Sequence, residues 1–456
     1  MATLNKDFLW GNSVSSMQTE GAFDEDGKGK SVYDTYPASE QASDWKVAID
    51  EYHRYPEDIA LMKDLGMNCY RFQVSWSRVQ ADGEGPFNEK GLAFYSNLVD
   101  ELLAAGIQPV VALYHFDMPL NLAQKYNGFI DKCVVDRFYE FGKKIIDTLG
   151  DRVKLWITFN EQNLYSFSPA FKSSGYLTGD KTLHDLYQIT HNVMLAHAKI
   201  ANYIHKNKPG LKIGGMESYQ EGYPATTNPK DTEAVRKYQE FVNNNILRLF
   251  TEGKYSDEVL AYMHSNGLED LLVPKELEEM SHMTSDFFSF SYYATSTIDS
   301  TKIPVGTPPN YYGVLGAKKN PYLSANEWGW QIDPTAFENI LLDLSNKLHL
   351  PIFPIENGIG VREQWDGIHP INDTYRIKYH REHIQALKNA VEQGANVIGY
   401  LGWGLIDIPS SSGNVDKRYG VVYVNRSNHD LKDLKRVPKK SYYWLKKVIS
   451  SNGKIL

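Results

Sequence analysis

Apolar runs recur along the chain, and the segments between them carry helical spacing. Eight runs read as strands: residues 8–15, 69–76, 109–115, 154–160, 212–217, 287–293, 351–356 and 397–403. Several are almost continuously apolar, as expected for strands covered on both faces. Between them, residues 94–104 place Leu98, Leu102 and Leu103 on one side of a helix, and residues 379–390 do the same with His383, Ile384 and Leu387. Gly106 and Gly394 follow such segments and suit helix ends that feed the next strand. Repeated strand–helix alternation predicts a parallel sheet, and about eight units favour a closed (β/α)8 TIM barrel over an open doubly wound sheet. No Gly/Ser/Pro-rich linker divides the chain, so residues 1–456 read as one barrel domain. The stretch 296–330, with Pro304, Pro308, Pro309 and Pro321, is too long for a simple connection and predicts an extended βα loop over the site.

Two of the apolar runs end in a glutamate beside an asparagine: Phe159-Asn160-Glu161 and Ile355-Glu356-Asn357. A carboxylate at the tip of a buried strand is costly without a partner or a task. Two facing carboxyls are the equipment for breaking a glycosidic bond.

In a barrel of this kind the chemistry sits at the carboxyl ends of the strands. The residues expected there are Gln18, Arg71 and Trp76, His115 to Asp117, Asn160 and Glu161, Tyr292 and Tyr293, Glu356, and Trp403. Singly, each has an ordinary structural explanation. Arg71 suits the neutralisation of a buried carboxylate, with Glu356 its expected partner. His115 suits a satisfied core histidine, and Trp403 a core ring. Their joint arrival at one rim is what points to a site.

Composition narrows the classes. The net charge of −8 opposes a general role in binding nucleic acid or anionic membrane. Aromatics at 13% suit rings stacked on sugar faces, and equally a large core. Two cysteines, Cys69 and Cys133, imply no disulfide framework; both are expected as buried free thiols, and a reducing compartment fits. No charged-then-apolar leader and no membrane-length apolar stretch occur, so a cytoplasmic location is expected. A homo-oligomer is compatible with all of this.

The motifs resemble glycoside hydrolase family 1, the β-glucosidase and phospho-β-glycosidase family. They are Phe8-Leu9-Trp10-Gly11 with Gln18-Thr19-Glu20-Gly21-Ala22, Tyr70-Arg71-Phe72 with Ser75-Trp76-Ser77-Arg78, His115-Phe116-Asp117-Met118-Pro119, Thr158-Phe159-Asn160-Glu161 and Ile355-Glu356-Asn357-Gly358. Phe116 stands where tryptophan is usual, and Gln162 where many members have proline. The resemblance implies retaining hydrolysis without cofactor or metal. Glu356 is the implied nucleophile, ionised beside Arg71 and Tyr293. Glu161 is the implied acid/base, kept protonated, with the carboxyls about 5–5.5 Å apart. Asn160 is expected at the sugar 2-hydroxyl, Gln18 and His115 near the 3-hydroxyl, Trp403 beneath the ring and Trp330 on the aglycone side.

The segment after Trp403 departs from the simple β-glucosidases. The glutamate that grips the 4- and 6-hydroxyls there is replaced by Ser410-Ser411-Ser412-Gly413-Asn414-Val415-Asp416-Lys417-Arg418-Tyr419. A glutamate would repel a 6-phosphate, whereas a lysine and hydroxyl donors attract it. The stretch resembles the phosphate loop of the 6-phospho-β-glycosidases, which implies Lys417 and Tyr419 as ligands, with Ser410 and Ser411 competing for the serine role. Ser411 stands where the 6-phospho-β-galactosidases carry a tryptophan, and so favours glucose over galactose. The expected activity is hydrolysis of small-molecule 6-phospho-β-glucosides, such as phosphorylated cellobiose or aryl glucosides, downstream of a bacterial phosphotransferase uptake system. The competing readings are an unphosphorylated β-glucosidase or β-galactosidase, a 6-phospho-β-galactosidase, and a sugar-binding barrel without activity.

Three further signals are set aside. Gly27-Lys28-Gly29-Lys30-Ser31 lacks the leading glycine of a P-loop. His380 and His383 share a predicted helix but have no further metal ligands in the pattern, and read as surface or packing residues. The basic run 435–440 reads as a solvated face.

Overall fold

The computed structural model describes residues 4–456. Eight strands form its centre: β1 (Leu9–Ser13), β2 (Cys69–Gln73), β3 (Gln108–Tyr114), β4 (Leu155–Phe159), β5 (Lys212–Ser218), β6 (Phe287–Tyr292), β7 (Ile352–Asn357) and β8 (Gly399–Trp403). They pair in parallel in chain order, with β8 returning to β1. The ring closes between β7 and β8, where Ile352 bridges Val397 and the Ile398 amide donates to the Ile352 carbonyl at 3.0 Å. This is the expected (β/α)8 barrel.

Inside the ring, Cys69, Val110, Ala112, Leu155, Ile157, Met216, Phe287, Phe353, Ile355 and Leu401 pack as one cluster. These are the axis-facing residues of the strands, the filled interior that such barrels require. A larger cluster lies outside, between strands and helices. The two expected helices are present as Glu89–Ala104 and Thr374–Glu392. The long stretch after β6 is folded: Ser296–Ile298 pairs with Gly222–Pro224, and a helical turn, Tyr312–Leu315, follows.

Several sequence expectations are corrected. Strand β2 ends at Gln73, and Trp76 instead opens the short helix Trp76–Val79, stacked on Phe141 in the outer core. Tyr292 faces the helices, donating its hydroxyl to Asp333 O at 2.6 Å and packing on Phe337. Cys69 is buried, but Cys133 is exposed. It occupies the first turn of Lys132–Leu149, whose buried face uses Val134, Val135 and Phe138 instead. The basic run is only partly solvated. Arg436 is buried against Asp58, at 2.8 and 3.0 Å, and Lys439 against Glu363 and Asp407, at 2.5 and 2.8 Å. His380 and His383 are packing residues, bonded to Tyr400 Oη and Tyr379 O respectively. Among the described residues no helix is long and apolar enough to cross a membrane.

Candidate active site

A cavity of about 890 Å³ opens at the carboxyl ends of the strands. Gln18, His115, Asn160, Glu161, Tyr293, Trp330, Glu356, Trp403, Ser411 and Tyr419 all line it. Thus residues from across the chain, met in the sequence as separate strand tips and loops, share one chamber.

Glu356 enters that chamber through a break in strand alternation. Phe290 pairs with Pro354 but Ser291 pairs with Glu356, so Ile355 is an extra residue in β7. Strict alternation would send Glu356 outward once Ile355 packs inside. The bulge lets two consecutive side chains face the axis, a common device beside active sites. Ser13 donates its hydroxyl to the Ile355 carbonyl, giving the bulge a bonding partner.

Fixed donors surround Glu356. Arg71 Nη1 lies 2.7 Å from Oε1, and the Tyr293 hydroxyl donates to Oε2 at 3.0 Å. Arg71 Nη2 donates to Asn160 Oδ1 at 2.7 Å, which turns the Asn160 amide nitrogen away from the guanidinium. Arg71 itself is completely buried beneath the cavity floor. Glu161 follows β4 in a left-handed conformation, φ 45°. That is an uncommon state for a residue with a side chain and costs roughly 1 kcal/mol or more. Its Oε1 accepts the hydroxyl of Ser291.

Burial raises both carboxyls. For Glu356 the desolvation outweighs Arg71, the Glu161 charge adds to it, and the group is pushed up to about 8. For Glu161 burial also dominates, opposed by Ser291 and Arg71. Burial disfavours the charged form of both acids, and the Glu161 charge disfavours that of Glu356 further. Two fixed donors favour the anion on Glu356; Glu161 faces a hydroxyl that serves as donor or acceptor. His115 is held well below its ordinary value by burial and then by the Arg71 charge, so it is a neutral imidazole, and its buried Nδ1 has no partner among the described residues. Its ring lies 5.7 Å from that of Trp403. Gln18 is held by Ser15 at 2.5 Å on Oε1, and its Nε2 donates to Pro409 O at 2.7 Å.

The segment that follows β8 reaches the same cavity through Ser411 and Tyr419. Ser411 lines the cavity, whereas the Ser410 hydroxyl is turned to Ser412 at 3.0 Å and does not. Lys417 lies just behind the lining, with its Nζ 3.6 Å above the Trp330 ring centre. Burial lowers its pKa to about 8. Among the described residues Lys417 has no carboxylate partner. No group of three or more His, Cys, Asp or Glu among the described residues is arranged to hold a metal ion.

The family model of glycosyl hydrolase family 1 matches residues 1–454. The chain belongs to glycosyl hydrolase family 1. It is similar to the aryl-phospho-beta-D-glucosidase BglC of Bacillus subtilis (strain 168), at 36% identity with 99% of this chain and 98% of the relative covered. It is similar to the 6-phospho-beta-glucosidase of Clostridium longisporum at 37% identity, with the same coverage of each. The solved beta-glucosidase from Thermotoga maritima in complex with glucoimidazole superposes with a TM-score of 0.87 at 29% identity, covering 99% of both chains.

Within this family-1 barrel, sequence reasoning missed three features of the site. Ser291 was given no role beside the expected Tyr292 and Tyr293, yet it is the direct partner of Glu161. Strand alternation held the signal, since Ser291 and Tyr293 share a face that Tyr292 does not. The bulge at Ile355 had no local signal. Nor did the seat of Lys417 on Trp330, because the two residues meet only through the long loop after β6.

Proposed function

We propose that this glycoside hydrolase cleaves 6-phospho-β-D-glucosides with retention of configuration. The observation that carries the reading is Lys417: a buried cation without a carboxylate partner, behind the cavity wall that Trp330 and Tyr419 form. A compact ammonium with hydroxyl donors beside it suits a phosphate dianion. Ser411 takes the serine role over Ser410, because only Ser411 reaches the cavity. Its small side chain leaves space for an equatorial 4-hydroxyl, in favour of glucose. The phospho-β-glucosidase names of the relatives support the same substrate class.

In this reading Glu356 attacks the anomeric carbon as the carboxylate, stabilised by Arg71 and Tyr293. The bond to the leaving oxygen breaks as Glu161 gives that oxygen its proton. Water then attacks the glycosyl-enzyme ester, Glu161 takes a proton from the water, and Glu356 departs as the anion. The Asn160 amide nitrogen, freed by Arg71, donates to the 2-hydroxyl. The neutral His115 and the fixed Gln18 serve the 3-hydroxyl, and Trp403 carries the sugar face. Trp330 borders the aglycone. A phosphorylated substrate and free thiols fit the cytoplasm.

The test compares 4-nitrophenyl β-glucoside with and without a 6-phosphate. The phosphorylated substrate should be preferred by at least about a hundredfold in kcat/KM, as a charge-assisted phosphate contact allows. Lys417→Ala should remove most of that preference through KM. Equal rates on the two substrates in the parent enzyme would end the phosphate assignment.

A further inference from the structure

Lys417 is held from two sides. Its stem lies on Gly360, where an added Cβ would stand 2.8 Å from Lys417 Cγ and 2.9 Å from Cε. A side chain there would push the stem aside. At the other end the ammonium rests 3.6 Å above the Trp330 ring centre, with the Trp328 ring at 5.2 Å. Glu327 of the same loop is already engaged: the Arg362 amide donates to its Oε1 at 2.5 Å and Arg362 Nη1 to its Oε2 at 2.9 Å. Arg362 sits opposite Lys417 in a short antiparallel ladder and stands 4.6 Å from the Trp328 ring centre. Arginine takes the carboxylate, and the lysine is left to the rings.

That division has a chemical consequence. A carboxylate on Lys417 would orient it but cancel its charge and repel an arriving phosphate. An indole face orients the ammonium through its quadrupole and leaves the net charge intact. An ammonium seated on a ring also keeps N–H donors on the side away from it. A lysine stem is otherwise costly to order, and pre-ordering it favours the bound state.

We propose that Trp330 is a positioning residue for the substrate's 6-phosphate: its indole holds the Lys417 ammonium ready for the anion, so the loop bordering the aglycone also sets phosphate selectivity. This rests on the phospho-glucoside reading above and extends it to a residue assigned there only to the aglycone side.

The experiment is a double-mutant cycle. Trp330→Leu and Trp330→Phe are made in the parent and in Lys417→Met, and all variants are assayed on 4-nitrophenyl β-glucoside with and without the 6-phosphate. In the parent background, Trp330→Leu raises KM for the phosphorylated substrate about tenfold more than KM for the plain glucoside, whose change reads the aglycone contact that both substrates share. Trp330→Phe, which keeps a weaker aromatic face, recovers most of the loss. In the Lys417→Met background, Trp330→Leu changes KM for the phosphorylated substrate no more than KM for the plain glucoside. A rise in KM of equal size on both substrates, or an undiminished effect without Lys417, overturns the inference in favour of a plain aglycone contact. If Trp330→Leu does not fold, the phenylalanine variant carries the test, with a rise on the phosphorylated substrate about two- to threefold greater than on the plain glucoside; no rise, or an equal rise on both, overturns the inference. If Lys417→Met itself leaves the preference for phosphate intact, the phospho-glucoside reading falls. A normal Lys417 effect with a flat Trp330 series removes only the present inference.

Discussion

Arg71 and Glu356 meet at 2.7 Å inside the barrel mouth, and the same guanidinium holds Asn160 at 2.7 Å on its other nitrogen. One completely buried cation therefore orients two groups on different strands. Arg71→Met should leave Glu356 with Tyr293 as its remaining donor, in a setting that burial already pushes toward the neutral acid. Losing one partner of a buried pair costs about 3–5 kcal/mol, so kcat/KM is expected to fall by roughly 10² to 10³ or more. Steady-state kinetics at pH 7 check this, with circular dichroism to confirm folding. A loss below about tenfold would contradict the assigned role.

The Ser291 hydroxyl lowers the Glu161 pKa against the larger effect of burial. Removing it in Ser291→Ala takes away a donor to the anion, so the pKa of Glu161 should rise. With Glu161 as the proposed acid, the alkaline limb of the kcat profile should move to higher pH. A pH–rate series on a substrate with a poor leaving group reads the shift. Movement of that limb to lower pH would contradict Glu161 as the acid.

Burial lowers the Lys417 ammonium to about 8. In the free enzyme the ammonium is therefore lost as pH rises through that value. KM for the phosphorylated substrate should climb above about pH 8, whereas KM for the plain glucoside should lack this rise. A bound phosphate dianion favours the charged lysine, so tight binding and proton uptake go together. Calorimetry with glucose 6-phosphate in buffers of different ionisation enthalpy checks this directly, with net uptake expected near pH 8.

Lys439 joins Glu363 and Asp407 and also donates to Gly420 O at 2.7 Å, just after the proposed phosphate ligands. Lys439→Met should destabilise the fold by about 3 kcal/mol, because it removes the cation shared by two buried carboxyls and leaves Glu363 to Arg376 and Asp407 to Arg418. Urea denaturation followed by tryptophan fluorescence measures it. Burial alone would raise Glu363, but Lys439 and Arg376 outweigh it and hold this acid at about 2. A depressed acid stabilises the folded state above its unfolded value, near 4.3, and loses that contribution as pH falls toward 2. Melting temperatures should therefore drop between about pH 5 and 2, and less steeply in Lys439→Met.

Much of the architecture was legible because it is written in local periodicity. Near-continuous apolar runs such as β7 located the strands, and their alternation with helical spacing implied a closed parallel ring. Glu161 and Glu356 were legible because a charge at the tip of such a run is costly. What failed was reasoning about partners. The run 435–440 looked solvated because a run of like charges usually faces water, yet Asp58, Glu363 and Asp407 come from elsewhere in the chain. Cys133 looked like a core thiol, but its position on the helix turned it outward.

The sequence by itself determined the barrel, the two glutamates at its mouth and the replacement of an acid by serines and a lysine after β8. These depend on residue type and short-range spacing, which a chain carries without folding. Only the tertiary structure decided that Ile355 bulges so that Glu356 faces inward, that Ser411 rather than Ser410 reaches the cavity, and that Lys417 rests on Trp330. Those are relations of direction and distance between segments far apart in sequence, and they come into being only when the ring closes and the loops pack across it.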